Sequence, residues 1–578
     1  MSLTDELVAS FEFINLSIKG NILKKCEELC ESYSLDPEEF VNIWCAYAAS
    51  TMCTDAPTIE MLEIMERKKL QKLNKEKSFP KTPTITPKKS KTEPQSVSIK
   101  ANVSSLNDSN TETNMKLAND LQIQESFADL VPESQLLDVS LTTNQSSSTQ
   151  EASKYKERTN SLSVKVSIGV EPKSSINEKN FTINIINGET FLSETKYMYE
   201  VMGQKASCMN SITNWIGNAI AKKNNVMISN DISTKNHIGS IVTYGKIFVD
   251  GNGHLNLQSI MLEGTVQLNS GHCVHLNVDK ISKVELFPGQ VVVVKGKMLS
   301  GNKLIAENIY TDAISDLPLE PPVVKDPLRI ILASGPYTLN DNLNYDPMRD
   351  LLNYVNDNQP HILLLMGPFQ DENHPVVTSG DMAETFDVFF DNLIESISVA
   401  LQDMPIQIII ISSMRDVHHH NVYPTPPYRT REKHQNIKFL PDPCIFEIDG
   451  LVLGATTADI MYHIAKEELV TSKNSDTMSR LASHILQQNT FYPLYPPNLE
   501  MNISHVFMET FGMIECLPHL MIMPSTFKGF IRKINGSVVV NPERLAKGNS
   551  GGAFADIIIS PGNSRSVTDR ISCKILHI

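Results

Sequence analysis

The chain is short of positive charge: its 51 Lys and Arg are outnumbered by 66 Asp and Glu, a formal net charge of −15 over 578 residues. Broad binding to nucleic-acid phosphates needs a dense basic face, so the deficit excludes that mode for the molecule as a whole and leaves only a local patch open. Paired cysteines are absent as well. The nine cysteines are scattered and no Cys-x-x-Cys occurs. Cys26 and Cys30 are the one close pair, and a spacing of four puts both on one helical face as packing residues. Neither a structural zinc, nor any other cofactor, nor a disulfide framework is expected, which suits an intracellular setting. No stretch approaches about 18 apolar residues, and no basic segment followed by an apolar run opens the chain, so a soluble protein without a membrane partner is expected.

What remains is too long for one hydrophobic core, and the composition divides it into four units. Residues 1–78 predict a helical bundle. Leu7, Phe11 and Ile14 form one apolar stripe, and Leu23, Cys26, Cys30 and Tyr33 form another. Asp36-Pro37 predicts a capped helix burying Phe40, Val41 and Trp44, and Thr58 caps a fourth carrying Leu62, Met65 and Leu70. A bundle of this size can dock a partner peptide.

Residues 79–165 are rich in Ser, Thr, Asn, Lys, Glu and Pro, and read as a disordered linker. Thr82-Pro83 and Thr86-Pro87-Lys88-Lys89 make Thr82 and Thr86 candidate phosphorylation sites, and the basic run from Arg67 to Lys77 with Lys88 and Lys89 could serve nuclear import. Within 166–315, a helical stretch at 194–224 precedes five predicted strands, at 241–248, 255–263, 273–279, 291–296 and 303–309, with turns such as Asp250-Gly251-Asn252-Gly253 between them. Five short strands suit an OB-type β-barrel. From 316 to 578, apolar strands alternate with helices predicted at 347–356, 382–401 and 477–488, a layered α/β sandwich.

The first strands of that last unit end in telling loops. Arg329 to Ser334 runs into Gly335-Pro336-Tyr337, His361 to Met366 into Gly367-Pro368-Phe369-Gln370-Asp371, and Ile408 to Ile411 into Ser412-Ser413-Met414-Arg415-Asp416. The layout resembles a calcineurin-like phosphoesterase, in which these loops carry Asp-x-His, Gly-Asp-x-x-Asp/Asn and Gly-Asn-His-Asp/Glu. A two-metal site needs such ligands to clamp both oxygens of an in-line displacement. Here Gly335, Pro336, Tyr337, Pro368 and Met414 offer none, Arg415 would repel a cation, and Asp371 and Asp416 are the oxygen ligands left. Pro524-Ser525-Thr526-Phe527 also lacks the closing Gly-His-x-His. An inactive sandwich is therefore expected, with no catalytic and no metal residues. His418, His419 and His420 read as a surface or interface loop, and His505 and His519 lie beside later apolar stretches.

Several strings, in shared order, resemble the B-subunit family of the DNA polymerase α–primase complex. They are Lys196-Tyr197-Met198-Tyr199-Glu200, Leu255-Asn256 with Ser259 and Leu262-Glu263-Gly264, and Leu286-Phe287-Pro288-Gly289-Gln290-Val291-Val292. Ser334-Gly335-Pro336-Tyr337, Gly367-Pro368-Phe369, Arg415-Asp416, Pro524-Ser525 and Val540-Asn541-Pro542-Glu543-Arg544-Leu545 complete the set, with Glu543 standing where the family usually has Gly. The resemblance implies a nuclear, non-catalytic subunit that holds the zinc-binding C-terminal domain of the catalytic polymerase subunit. It also implies linkage to primase, and to other replication factors through the helical bundle. The alternative is a single-stranded DNA-binding replication factor acting through the barrel. Its stacking candidates are Tyr244, Phe248, Phe287 and Tyr310, with Asp250, Glu263, Asp279 and Glu285 offsetting the lysines.

Overall fold

The structure, a computed structural model, describes residues 20–33 with single positions between Leu7 and Leu62, then 155–172, 182–187, 196–229, 239–251, 253–299, 302–322, 324–380, 382, 384–471 and 476–578. Ile14, Thr58, Met65, Leu70, Thr82 and Thr86 lie outside the described residues. The chain divides into two compact units, Met1–Asn107 and Asp108–Ile578.

In the first unit, helix α1 (Asn21–Tyr33) buries Cys26, Leu29 and Cys30 at helical spacing. They join Leu7, Phe11, Phe40, Val41, Trp44 and Leu62 in one cluster, where the rings of Phe11 and Phe40 meet edge to face at 6.5 Å.

The second unit opens with two strands, β1 (Val164–Ile168) and β2 (Ile183–Asn187), followed by helix α2 (Met202–Lys223). A closed barrel comes next: β3 (Ile241–Val249), β4 (Ile260–Glu263), β5 (Cys273–Asn277), β6 (Val291–Leu299) and β7 (Lys303–Tyr310), joined in the order β3-β4-β5-β7-β6. Closure leaves no open edge. Ile247, Leu262, Val274, Leu276, Val292, Val294 and Leu304 fill its interior. The predicted strand at 255–263 shortens to β4 because Asn256 folds the chain. Its Oδ1 accepts from the backbone of Gln258 (3.0 Å) and Ser259 (3.1 Å), a side-chain turn that competes with the ladder. The helix expected from 194 begins only at Met202, because Met198 takes a left-handed φ of 60° and Glu200 is drawn off to a distant partner.

The remaining chain builds the sandwich. Its strands are β8 (Leu328–Ser334), β9 (Ile362–Met366), β10 (Gln407–Ile411), β11 (Ile437–Leu440), β12 (Cys444–Ile448), β13 (Leu451–Ala455), β14 (Leu520–Ile522), β15 (Phe530–Ile534), β16 (Ser537–Asn541), β17 (Ala553–Ile559) and β18 (Ile571–His577). Between them run α3 (Asp346–Asn358), α4 (Phe386–Ala400), α5 (Ile460–Glu467), α6 (Thr477–Gln487) and α7 (His505–Phe511). Among the described residues one sheet has the order β1-β18-β17-β8-β9-β10-β11 and the other β15-β16-β14-β13-β12-β2.

The two sheets face each other across Ile330, Leu332, Leu364, Ile409, Phe446, Leu453, Ile522 and Val540. Alternate residues point outward. Ile331, Ala333 and Leu363 pack under α3 and α4, while Val452, Met521 and Val539 pack under α5, α6 and α7. Being buried on both faces is why β8, β9 and β10 read as continuous apolar runs rather than alternating ones.

Strands β1 and β2 lie at the junction of the expected linker over 79–165 and barrel unit over 166–315. β1 pairs with β18 and β2 with β12, so both complete the sandwich sheets. Ahead of β1, Tyr155 is buried and donates to Asp350 (2.8 Å), and Arg158 pairs with Asp350 and donates to Ile578 O (2.9 Å).

Barrel and sandwich meet through a buried polar joint. Gln488 Oε1 accepts from Val291 N (2.7 Å), and its Nε2 donates to Val291 O (3.1 Å) and Thr311 O (3.3 Å). Asn489 accepts from Ser315 N (3.1 Å) and donates to Ala313 O, while Ala313 N donates to Gln487 O (3.0 Å). Gly289, at φ 93°, lets the barrel loop approach so closely that a Cβ there would lie 2.3 Å from Tyr495 N. Replacing Gln488 by Leu strands these barrel groups. The expected cost is about 3 kcal/mol, since each buried unpaired group costs roughly 1–3 kcal/mol, read as a lowered urea midpoint of the full chain.

Candidate functional site at the ends of the parallel strands

The loops singled out in the sequence converge at one end of the sandwich, where β8, β9 and β10 run parallel and stop together. They are packed shut. A Cβ on Gly335 would lie 1.8 Å from Pro368 O, and one on Gly367 2.6 Å from the Ser413 Cβ. Tyr337 is fully buried and stacks on Phe369 at 4.8 Å, with its hydroxyl 3.0 Å from Ala333 O and 2.9 Å from Met366 O. Pro336 leads into that ring, Pro368 is buried, and Met414 joins the core beneath the second sheet.

The two remaining aspartates of these loops are both occupied. Asp371 receives Arg415 Nη2 (2.5 Å) and Asn373 N (3.1 Å). Asp416 accepts at Oδ1 from Phe369 N (2.7 Å) and Gln370 N (2.6 Å), and at Oδ2 from the Tyr428 hydroxyl, which in turn accepts from Ser413 N (2.8 Å). One carboxylate thereby ties the loop after β9 to the loop after β10.

Residues that sequence reasoning did not assign to the site complete the arrangement. Arg544, 4 % exposed, donates to Ser334 Oγ (3.0 Å) and Thr457 O (3.3 Å). Burial pulls its pKa below the ordinary guanidinium value, while Asp459, Asp371 and Asp442 hold it charged. Asp442 accepts from Thr457 N (3.0 Å) and the Thr457 hydroxyl, and Asp459 accepts from Ser525 Oγ (2.6 Å) and Thr526 N (2.7 Å). A side-chain cation thus stands among converging carboxylates. Among the described residues no three His, Cys, Asp or Glu side chains are arranged to hold a metal ion. Beside Arg544, Glu543 has φ 69° and is fully buried, held by Lys165 (2.6 Å) and Lys547 (2.5 Å) and accepting from Gly529 N (2.7 Å).

The histidines do not converge on this point, and in the triple His, expected as a surface or interface loop, two rings are half-buried and one is exposed. His418 stacks on Phe390 at 3.9 Å and burial pushes its pKa down to about 3. His419 Nε2 lies 2.7 Å from Pro426 O, a carbonyl to which it can only donate, and burial lowers its pKa to about 4. Only His420 is exposed, its ring 4.8 Å from Tyr197. His519 accepts from Val452 N (2.9 Å), and His505 starts α7, where Glu200 caps the helix by accepting from Ser504 Oγ (2.9 Å), His505 N (3.0 Å) and Val506 N (3.1 Å).

Two of the four barrel aromatics are likewise occupied. Tyr244 lies under α2 against Gly217 and donates to Asn214 (2.9 Å), and Phe287 inserts into the sandwich beside His484. Phe248 and Tyr310 are half-buried.

The site makes stability depend on pH from both sides. Desolvation raises Asp416 and Asp442 to about 7, so what they contribute below the ordinary carboxylate range is lost as pH climbs through 7. His418, His419 and His519, lowered from 6.5 by burial, contribute in full above 6.5 and lose it as pH falls. The thermal midpoint of the chain is expected to peak between these limits. Asp442→Asn, which keeps the Thr457 contacts, removes one carboxyl's loss between the ordinary carboxylate range and 7, so its midpoint climbs more steeply than the parent's from about pH 5 to about pH 6.5 and the two slopes coincide above 7, measured by scanning fluorimetry from about pH 5 to about pH 8.5.

Comparison with known proteins gives matches along most of this architecture. A family model for the B subunit of DNA polymerases alpha and epsilon matches residues 330–532. A model for the OB domain of the DNA polymerase alpha B subunit matches 211–312, and one for the N-terminal part of the same B subunit matches 5–72. Among curated proteins, the chain is similar to the DNA polymerase alpha B subunit of Mus musculus, 34% identical over 326 residues, covering 55% of this chain and 54% of the mouse protein. It is similar to that of Drosophila melanogaster at 27% identity, covering 99% of this chain and 100% of the fly protein. The Schizosaccharomyces pombe protein of the same name is 32% identical over 56% of this chain and 60% of its own length. The match thus spans about half the length of the mouse relative and the whole of the fly one.

Proposed function

The chain belongs to the DNA polymerase alpha B-subunit family, and from that premise we propose that it is a non-catalytic accessory and scaffold component of the polymerase alpha–primase complex, acting in initiation of DNA replication in the nucleus. In this reading the barrel and sandwich hold the zinc-binding C-terminal domain of the catalytic subunit. Primase sits in the same complex, the N-terminal helices dock other replication factors, and Thr82 and Thr86 are the phosphorylated sites. The sandwich is a calcineurin-like phosphoesterase that has changed use. Its domain scheme is a helical 1–78, a linker to about 154, a barrel unit and an inactive sandwich that also takes in β1 and β2.

The observation that carries the reading is Arg544. A hydrolytic two-metal centre gathers carboxylates round divalent cations, whereas here a buried guanidinium with hydroxyl, carbonyl and carboxylate neighbours supplies the positive charge, which supports a non-hydrolytic sandwich. Gly335, Pro336, Tyr337, Pro368 and Met414 pack the loops rigidly, and Asp371, Arg415 and Asp416 fasten them, which suits a binding platform. The barrel-based single-strand reading loses support, since Tyr244 and Phe287 face inward where bases cannot stack.

Co-expression with the C-terminal domain of the catalytic subunit should give a complex that survives gel filtration, and separation of the two would overturn the scaffold assignment. Hydrolysis of a generic phosphodiester with added manganese should stay at background. Turnover that disappears in Asp371→Asn would reverse the assignment to a non-enzyme.

A further inference from the structure

A short turn ahead of α2 presents apolar side chains to solvent from a rigid base. Its inner residues are pinned. Tyr197 packs against His420 (4.8 Å) and edge-on to Phe507 (5.5 Å), and the Glu200 carboxylate caps α7. Its outer residues are not: Met198 is 52 % exposed, Tyr199 76 %, Val201 62 % and Met202 87 %. Met198 holds a left-handed φ of 60°, strain that an unbranched side chain gains nothing from unless the turn itself matters. An apolar cluster kept out of the core on a fixed frame marks an interaction site.

Positive charge borders it. Lys196 Nζ lies 5.7 Å over the Tyr199 ring, Arg429 is close enough to act on both Tyr197 and His420, and Lys205 lies one helical turn beyond Val201. Neither Lys196 nor Arg429 is ion-paired among the described residues. The one carboxylate of the turn, Glu200, faces inward.

The chain contains a segment of matching chemistry. From Leu117 to Ser153 there is no Lys or Arg, and Asp120, Glu125, Asp129, Glu133 and Asp138 alternate with Leu121, Ile123, Phe127, Leu130, Val131, Leu136 and Leu137. Ile123, Phe127 and Leu130 have the spacing of one helical face. Its reach is adequate. β18 runs in the same direction as β8, because each is antiparallel to β17, so Ile578 and the Arg158 bound to it lie at the same end of the sandwich as the loop of His420. The chain between Leu141 and Tyr155 can span roughly 45 Å when extended.

We propose that the turn Lys196–Met202, with Arg429 and Lys205 beside it, is a docking site for the acidic, apolar segment 120–141 of the same chain. Apolar side chains of the segment cover Met198, Tyr199, Val201 and Met202, and its carboxylates meet the bordering cations. An external partner presenting the same acidic, apolar chemistry would have to displace it.

The test is photo-crosslinking in the full chain with p-benzoylphenylalanine in place of Tyr199. Because no basic residue interrupts 117–153, trypsin releases the segment as the single peptide Leu117–Lys154. The expected product joins that peptide to the turn, at a yield unchanged on dilution. The yield should fall about tenfold in Phe127→Asp/Leu130→Asp and in Met202→Asp/Arg429→Glu, the loss expected for one or two buried apolar contacts, with the thermal midpoint unaltered. Crosslinks to other peptides only, a yield that rises with protein concentration, insensitivity to both double variants, or competition by oligothymidine would each overturn the proposal.

Discussion

A buried positive charge has to be answered by its surroundings, and at the end of the sandwich the answer fixes several loops at once. Arg544 sits out of water, where an unpartnered charge costs several kcal/mol. Ser334, Thr457 and the carboxylates of Asp371, Asp442 and Asp459 gather round it. Those carboxylates would in turn be destabilised alone, and each is tied to backbone N–H groups or hydroxyls of a different loop. A mobile ion can leave such a position, and a side chain cannot. The loops are therefore packed shut in this structure by side chains that belong to the fold itself.

The joint between barrel and sandwich is held in the same way. Gln488 and Asn489 act as borrowed backbone, completing hydrogen bonds that the barrel strand and its exit cannot complete themselves. Phe287 adds an apolar plug from the barrel into the helices of the sandwich. With helix α2 packed over Tyr244, the barrel has traded the open face of a strand-binding fold for fixed attachment to its neighbour. A partner would meet both parts as one surface.

How far this could be read in advance depended on the range of the interactions. Strands buried on both faces announce themselves by composition, so β8, β9 and β10 lie close to where the apolar runs put them. Helices α3 and α6 follow their apolar period to within two residues. Strand β4 came out short because a single Asn side chain outcompeted the ladder. Strands β1 and β2 could not be assigned, since their pairing partners come from β18 and β12, hundreds of residues downstream. The depleted loops were legible one by one. Arg544 was not, because nothing local distinguishes a surface arginine from one aimed at a serine 210 residues away.

Glu543 shows how such long-range pairings constrain change. The left-handed backbone there favours Gly, and a non-Gly residue gives up about 1–2 kcal/mol. Removing the carboxylate would leave the buried Lys547, and the partly buried Lys165 of β1, without their counter-charge, a loss on the order of 3–5 kcal/mol for a fully buried pair. The lost counter-charge outweighs the relieved backbone. In this chain the residue with the better backbone is the worse choice, so positions 165, 543 and 547 are coupled: Gly at 543 becomes the better residue only once the two lysines no longer need a counter-charge.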